Sequence, residues 1–273
     1  MKIVRIAAPL TAALAATALA APLAAAAQPQ AQAPATVAQS DLAAARDAAR
    51  APAVLDQLGH FFARRGVPPT TPLALSAAAE AQAADRAAPA LVGDTVPVYT
   101  LDPAFVAGTA GAPVARVDFT ATEAVSADGQ RASVWTARQG DHWQVVNIAS
   151  GSDETDYAAR GAAAGGGTVF REPQLNAWYV LRGGRVLPLD TEARDSVGAG
   201  GVGLAAYQKL VRQRYGDKLP GSAYDKAGLG GGFATAGVRD DGTTLPVVTA
   251  AAALGVTALA GATLGLRRRR QAN

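Results

Sequence analysis

Alternating apolar and polar residues predict β-strands across the middle of the chain. In 114–125, the longest such stretch, polar Asp118 stands between apolar Val117 and Phe119, which are therefore expected on the same face. Shorter runs rich in Val, Thr and aromatic residues follow the same pattern. The strands predicted in this way are 96–100, 114–125, 131–137, 142–148, 177–182 and 185–189.

Turn signals set how the predicted strands connect. Asp-Gly at 128–129 and Gly-Gly at 183–184 are typical of tight hairpin turns. Three consecutive strands then form an antiparallel meander, and the last two form a separate hairpin. The pattern predicts an α+β fold with an antiparallel sheet and flanking helices. A cystatin-like or NTF2-like α+β shape is the alternative.

Apolar residues at helical spacing predict helices on both sides of the strands. Val54, Leu58 and Phe62 share one helical face, and Pro52 suits the first turn of that helix. Ser40 and Ser152 stand where N-caps are expected. The predicted helices are 41–50, 54–65, 75–86, 153–160 and 204–215.

The N-terminus has the pattern of a signal peptide. Lys2 and Arg5 precede a long apolar stretch rich in Ala and Leu, which ends in small residues up to Ala27. This order of charge, apolar core and small residues predicts export with cleavage after Ala27. An uncleaved membrane anchor is the alternative, but Pro9 and Pro22 would interrupt a spanning helix.

The C-terminus has the pattern of a membrane anchor. The segment 245–266 carries no charge and, as a helix, would be about 33 Å long, enough to cross a bilayer. Four arginines follow it, which predicts a cytoplasmic end. A buried core helix is the alternative. The arginines are Arg267, Arg268, Arg269 and Arg270.

These boundaries divide the chain into segments. A Pro/Gln-rich lead and a helical segment separate the signal peptide from the α+β domain, and a Gly-rich linker separates that domain from the anchor. Whether the early helices pack on the domain is left open. The expected ranges are 1–27 for the signal peptide, 28–94 for the lead and helical segment, 95–216 for the extracytoplasmic domain, 217–244 for the linker, 245–266 for the transmembrane helix and 267–273 for the tail.

The net charge of the chain depends on whether its two ends are counted. The formal charge is +3, but two of the 25 basic residues lie in the predicted signal peptide and four in the tail. The part between carries 19 basic against 22 acidic residues. The basic excess therefore reflects membrane topology, and no nucleic-acid partner is expected. The absence of cysteine excludes disulfides and thiolate chemistry.

Three acids are the candidates for catalysis. Asp153 and Glu154 begin a predicted helix, where acids also suit the helix dipole. Glu172 precedes a predicted strand and is interpreted as a turn residue, with an acid role in a glycan cleft as the alternative. No His/Cys cluster or HExxH motif occurs, so neither a metal nor a cofactor is expected.

Aromatic residues on the predicted strands are the candidates for binding. Their concentration in one sheet favours a buried core. An exposed aromatic face that contacts sugar rings or a protein partner is the alternative. The residues are Trp135, Trp143, Trp178 and Tyr179.

The segment 169–189 (VFREPQLNAWYVLRGGRVLPL) and the Arg tail resemble uncharacterised exported surface proteins of high-GC actinobacteria of the streptomycete type. The resemblance covers roughly 95–190 and the tail, implies a location and transfers no catalytic residue. The tail layout also resembles that of Gram-positive surface proteins cut by sortase. Here Leu245-Pro246 is followed by Thr249 one position late and by no Gly, so permanent anchoring is favoured over wall attachment.

Together these patterns predict a single-pass membrane protein with its bulk outside the cell. A non-enzymatic binding or scaffold module of the cell envelope, with an envelope protein or the cell wall as partner, is favoured over an enzyme. A carboxylate-dependent envelope hydrolase using Glu172 with Asp153 or Glu154 is one alternative. A small-ligand-binding α+β domain is another.

Overall fold

A computed structural model describes residues 33–227 of the chain. The predicted signal peptide, the linker beyond residue 227 and the predicted anchor with its arginine tail lie outside the described residues. Within 33–227, no helix has the length and apolar character needed to cross a membrane.

An eight-stranded sheet with flanking helices confirms the predicted α+β class. The strand order is β4-β3-β2-β1-β5-β6-β7-β8. The strands are β1 Ala90–Leu101, β2 Ala115–Val125, β3 Arg131–Gln139, β4 His142–Ser150, β5 Thr168–Glu172, β6 Ala177–Arg182, β7 Arg185–Pro188 and β8 Val202–Gly203.

The sheet is mixed, which corrects the expectation of a wholly antiparallel one. β5 runs parallel to β1, with Tyr99 opposite Phe170 and Thr100 opposite Arg171. The sequence pattern did not predict β5, because its last two residues are Arg171 and Glu172, and adjacent charges indicate a solvent-exposed turn. The remaining neighbours pair antiparallel. Among them, β2-β3-β4 is the predicted meander and β6-β7 is the predicted hairpin.

The predicted helices are present with small shifts at their ends. Ser76 caps α3 by accepting the Ala79 N–H at 3.2 Å. Ser40 lies inside α1, and Ser152 donates to Asp156 rather than capping α5. The helices are α1 Gln39–Ala49, α2 Pro52–Ala63, α3 Ala77–Ala87, α4 Pro103–Ala107, α5 Asp153–Ala163, α6 Thr191–Val197, α7 Leu204–Tyr215 and α8 Ala223–Lys226.

An irregularity between β1 and β2 changes which residues share a face. Val98 lies opposite Phe119, but Tyr99 lies opposite Val117, so Asp118 is an extra residue in β2. Phe119 consequently packs with one apolar cluster and Val117 with another. Simple alternation predicted the same face for both, and this bulge is the reason that it fails.

Helices cover both faces of the sheet. On one face, α2 contributes Leu58 and Phe62 to a cluster with Val134 of β3. Farther along that face, α4 and α7 pack on Phe170 and Tyr179. The opposite face is covered by α5 over a cluster of Val98, Phe119, Ala121, Trp135 and Trp178. The early helices therefore lie on the same sheet as the rest of the domain.

We expect Phe62→Ala to lower the free energy of unfolding by about 3–5 kcal/mol, because it empties a site that α2 fills against the sheet. Phe62 is 1% exposed, whereas Leu73 is 37% exposed. Leu73→Ala is the control and should change stability by less than about 0.5 kcal/mol. Urea unfolding of a fragment spanning 28–242 measures both. Equally small decreases in the free energy of unfolding of both variants would contradict the packing of α2 against the sheet.

Candidate functional site

Glu172, at the end of β5, is the most completely buried charged residue described, with 0% exposure. Its carboxylate accepts hydrogen bonds from Tyr179 Oη at 3.0 Å and Tyr207 Oη at 2.9 Å through one oxygen. The other oxygen accepts from Tyr215 Oη at 2.6 Å and Arg214 Nη1 at 3.3 Å. We call these five residues the Glu172 centre.

Two secondary-structure elements bring the donors to this carboxylate. β6 pairs with β5 and places Tyr179 opposite Phe170, on the face that carries Glu172. α7 presents Tyr207 and Tyr215, which lie two turns apart and therefore on the same side of the helix. The centre thus joins α7 to the sheet through polar bonds inside an otherwise apolar cluster.

The four donors occupy the acceptor capacity of the Glu172 carboxylate, which offers about four lone-pair positions. Arg214 also donates to Ser196 Oγ at 2.9 Å, which holds the guanidinium in place. In this state Glu172 has no free lone pair directed at a substrate. Its geometry is that of a structural carboxylate rather than of a general acid or base.

Burial raises the pKa of the tyrosines at the Glu172 centre. The pKa of Tyr207 lies well above its ordinary value because the phenol is desolvated, and the negative charge of Glu172 adds to this effect. The pKa values of Tyr179 and Tyr215 are raised for the same first reason. All three side chains therefore act as neutral hydrogen-bond donors at physiological pH.

Arg171 precedes Glu172 in β5 and points to the opposite face of the sheet. Its guanidinium carbon lies 5.4 Å from the ring centre of Phe119 and 5.5 Å from that of Trp135. Its Nη1 is 3.9 Å from Glu154 Oε1. The Arg171 Nε is buried and has no hydrogen-bond partner among residues 33–227. We call Arg171, Glu154, Phe119 and Trp135 the Arg171 centre.

Burial shifts the pKa values of the two charged groups of the Arg171 centre in opposite directions. Desolvation raises the pKa of Glu154, with a smaller opposing effect from a hydrogen bond with Ser133 and from the Arg171 charge. Desolvation lowers the pKa of Arg171. The pair is therefore a buried ion pair whose removal from water is only partly compensated.

The predicted catalytic acids do not converge in a cleft. Glu172 lies on the α7 side of the sheet, whereas Glu154 and Asp153 begin α5 on the opposite side. Burial raises the pKa of Asp153, and the nearby charge of Asp156 adds to the increase. A hydrolase of the predicted kind needs two carboxylates about 5–9.5 Å apart across a substrate. The fold does not bring Glu172 together with either partner.

The predicted binding aromatics are divided between core and edge. Trp135 is 4% exposed, Trp178 is 3% exposed and Tyr179 is fully buried. Trp178 stacks on Tyr157 with ring centres 4.9 Å apart. Trp143 is half-exposed on β4. The core interpretation therefore describes three of these residues, and Trp143 alone reaches a surface.

Sequence reasoning missed Tyr207, Arg214, Tyr215 and Arg171 as members of the two centres. A polar signal was nevertheless present on α7, where two tyrosines two turns apart lie on either side of apolar Leu204 and Val211. For Arg171 no comparable signal existed, because burial of an arginine depends on the helix that covers it.

β4 forms one edge of the sheet and pairs only with β3. A two-residue turn joins Gln139 to His142, and the Gly151 N–H donates to the Arg131 carbonyl at 2.9 Å. Because bonded and non-bonded pairs alternate in an antiparallel ladder, these two ends fix which groups of β4 point away from β3. They are the backbone groups of Trp143, Val145, Ile148 and Ser150.

These outward groups form what we call the β4 edge. A register shift next to Val146 separates the two halves of the edge. None of the backbone hydrogen bonds outside the ladders involves the four outward residues within 33–227. Every side chain from Trp143 to Ala149 is half-exposed, and none of them is charged. The edge is therefore able to accept a further strand.

The described residues contain no group of three or more His, Asp or Glu side chains placed to hold a metal ion. An open depression of about 580 Å³ lies beside the end of α7 and contains none of the predicted site residues. It is lined by Ala107, Arg212, Gln213, Gly216, Asp217 and Leu219.

No protein-family model, curated protein or solved structure matches the chain.

We expect Glu172→Gln to lower the free energy of unfolding by about 2–4 kcal/mol, because the charged acceptor of four hydrogen bonds becomes a neutral amide. Part of the new side chain would also be a donor facing hydroxyl donors. Glu192→Gln, at an exposed position of α6, is the matched control and should be nearly neutral. Chemical unfolding measures both variants. A neutral effect of Glu172→Gln would contradict the proposed structural role of the centre.

We expect stability to fall as the pH rises above about 10, the pKa of an unfolded tyrosine. The folded-state pKa values of Tyr179, Tyr207 and Tyr215 are raised, so their contribution to the free energy of unfolding is fully present below the unfolded pKa. This contribution is lost as the pH rises through the folded-state pKa values. Unfolding measured from neutral pH to about pH 11 tests this. Tyr215→Phe should reduce the loss, and an unchanged slope would contradict this account.

Proposed function

We propose that the chain is an exported, membrane-anchored protein that presents its α+β domain outside the cell as a non-enzymatic binding or scaffold module. In this proposal a signal peptide is removed after Ala27. A single helix over 245–266 then holds the protein in the membrane, with Arg267–Arg270 on the cytoplasmic side.

The two apolar ends of the sequence support the proposed location. The first has the charge, apolar core and small residues that a signal peptidase recognises. The second is long enough to span a bilayer and is followed by the arginine cluster that retains a cytoplasmic end. The resemblance to exported actinobacterial surface proteins points in the same direction.

The β4 edge is the observation that carries the binding role. Its outward N–H and C=O groups have no partner among residues 33–227, and its side chains are uncharged and half-exposed. Strand addition to such an edge supplies main-chain hydrogen bonds for affinity and side-chain contacts for specificity. By contrast, the buried acids of the domain are engaged in internal contacts.

One observation favours a small-ligand-binding role as a second candidate. The Arg171 Nε is buried without a hydrogen-bond partner in the described part of the chain, and the side chain is 10% exposed. An unfilled donor beside two aromatic rings suits a small molecule with a polar acceptor. The carboxylates of Glu154 and Asp118 act on the same guanidinium, so an anionic ligand would meet like charge.

We expect deletion of 245–273 to move the protein from the membrane fraction to the medium of a Gram-positive host, because the proposed anchor is lost. Deletion of both 1–27 and 245–273 is the matched control and should keep the protein in the cytoplasm. Immunoblots of the membrane, medium and cytoplasm measure the distribution. Membrane retention of the form lacking 245–273 would contradict anchoring. For the full-length protein, a mature mass that corresponds to a chain ending near residue 248 would indicate wall attachment instead.

A further inference from the structure

We propose that two copies of this protein pair through their β4 edges, antiparallel, to form one continuous sheet across a twofold axis. The inference rests on the proposed function in two respects: it names a second copy as the partner of the β4 edge, and the membrane anchor would hold the two copies side by side.

The outward groups of β4 are arranged symmetrically about the strand centre. In an antiparallel pair of identical strands, the residue numbers of facing residues have a constant sum. Trp143 facing Ser150 and Val145 facing Ile148 give the same sum. The extra residue in β4, Val146, makes this possible, because it shifts the outward set in the second half of the strand by one position. Each copy therefore offers donors and acceptors where the other requires them.

The charge pattern of β4 also suits a second copy. No charged side chain lies between Trp143 and Ala149, so self-pairing brings no like charges face to face along this stretch. Natural edge strands usually carry charged residues that prevent such pairing. Half-exposed Trp143 would be covered at the end of the shared ladder, close to Ser150 of the second copy.

The other edge of the sheet explains why pairing should stop at two copies. β8 contains only Val202 and Gly203, so it offers little backbone for a further strand. One long open edge and one short edge allow a closed pair about a twofold axis rather than a growing filament. The open edge extends over nine residues, or about 30 Å of strand.

Cysteine crosslinking tests this register without interference, because the chain contains no cysteine. Gln144 and Ala149 are half-exposed, and in the proposed pair Gln144 of one copy faces Ala149 of the other. We would co-express full-length Gln144→Cys and Ala149→Cys chains with different tags and oxidise the whole culture mildly. The mixed-tag disulfide is then measured in the membrane fraction and outside it.

The same two variants provide the matched control. Gln144→Cys expressed alone places its two thiols five residues out of register, about 16 Å apart along the strands. We expect the mixed pair to yield about tenfold more disulfide than either variant alone, because a disulfide requires Cα atoms within about 7 Å. Equal yields, or no mixed disulfide, would overturn the pairing.

A third variant guards against a failure of either cysteine form to fold. In the proposed register, Asn147 of each copy lies next to the twofold axis. Two copies that both carry Asn147→Cys should therefore form a disulfide with each other at this position. In the same Asn147→Cys chain, Gln144→Lys should reduce that crosslink several-fold, because a lysine on an edge strand opposes pairing with a further strand. Gln213→Lys, on α7, should leave the crosslink unchanged. The absence of a disulfide between two Asn147→Cys chains would overturn the inference.

The location of the crosslinked chain separates this inference from the proposed function. A chain in the membrane fraction without the mixed disulfide overturns the pairing and leaves the anchoring intact. A chain recovered outside the membrane fraction with the mixed disulfide supports the pairing and contradicts the anchoring.

Discussion

The buried carboxylate of Glu172 is the interaction on which the packing of α7 depends. A charge removed from water is tolerated only when hydrogen bonds or opposite charges replace the lost hydration. Three of the four donors to Glu172 belong to α7, namely Tyr207, Arg214 and Tyr215. Their spacing admits only one rotation and one position of the helix along its axis. The apolar contacts of α7 are non-directional, whereas the hydrogen bonds of the Glu172 centre fix the orientation of the helix.

β5 applies the same constraint to both faces of the sheet. Its last two residues, Arg171 and Glu172, point to opposite sides, and each requires its own compensation. Glu172 receives it in full from four donors, whereas Arg171 receives a carboxylate at 3.9 Å and two aromatic rings. The α7 side is therefore fixed by short bonds. On the α5 side the guanidinium keeps an unfilled donor. The two helical layers thus differ in how strictly polar contacts position them.

Local signals predicted those parts of the fold that depend on local structure. The Gly183–Gly184 turn has both φ angles positive, as a primed hairpin turn requires, and α7 begins and ends where its pattern indicated. The parallel strand β5 and the bulge at Asp118 were missed, because both depend on a partner strand distant in sequence. The site followed the same rule. Glu172 was named from its residue type, but its role became visible only when α7 supplied donors from more than 30 residues away.

The two edges of the sheet extend this contrast between satisfied and unsatisfied polar groups to the surface. Inside a protein domain, nearly all buried polar groups of the backbone and side chains have a hydrogen-bond partner. At β8 the edge ends after two residues, whereas β4 presents nine residues without a lysine or an acidic side chain along its length. A bulge usually disrupts an edge and discourages pairing. In β4 it lies at the centre of a symmetric outward set, so a second β4 carrying the same bulge fits where a regular strand would lose register. The irregularity thus restricts which strand the edge can accept.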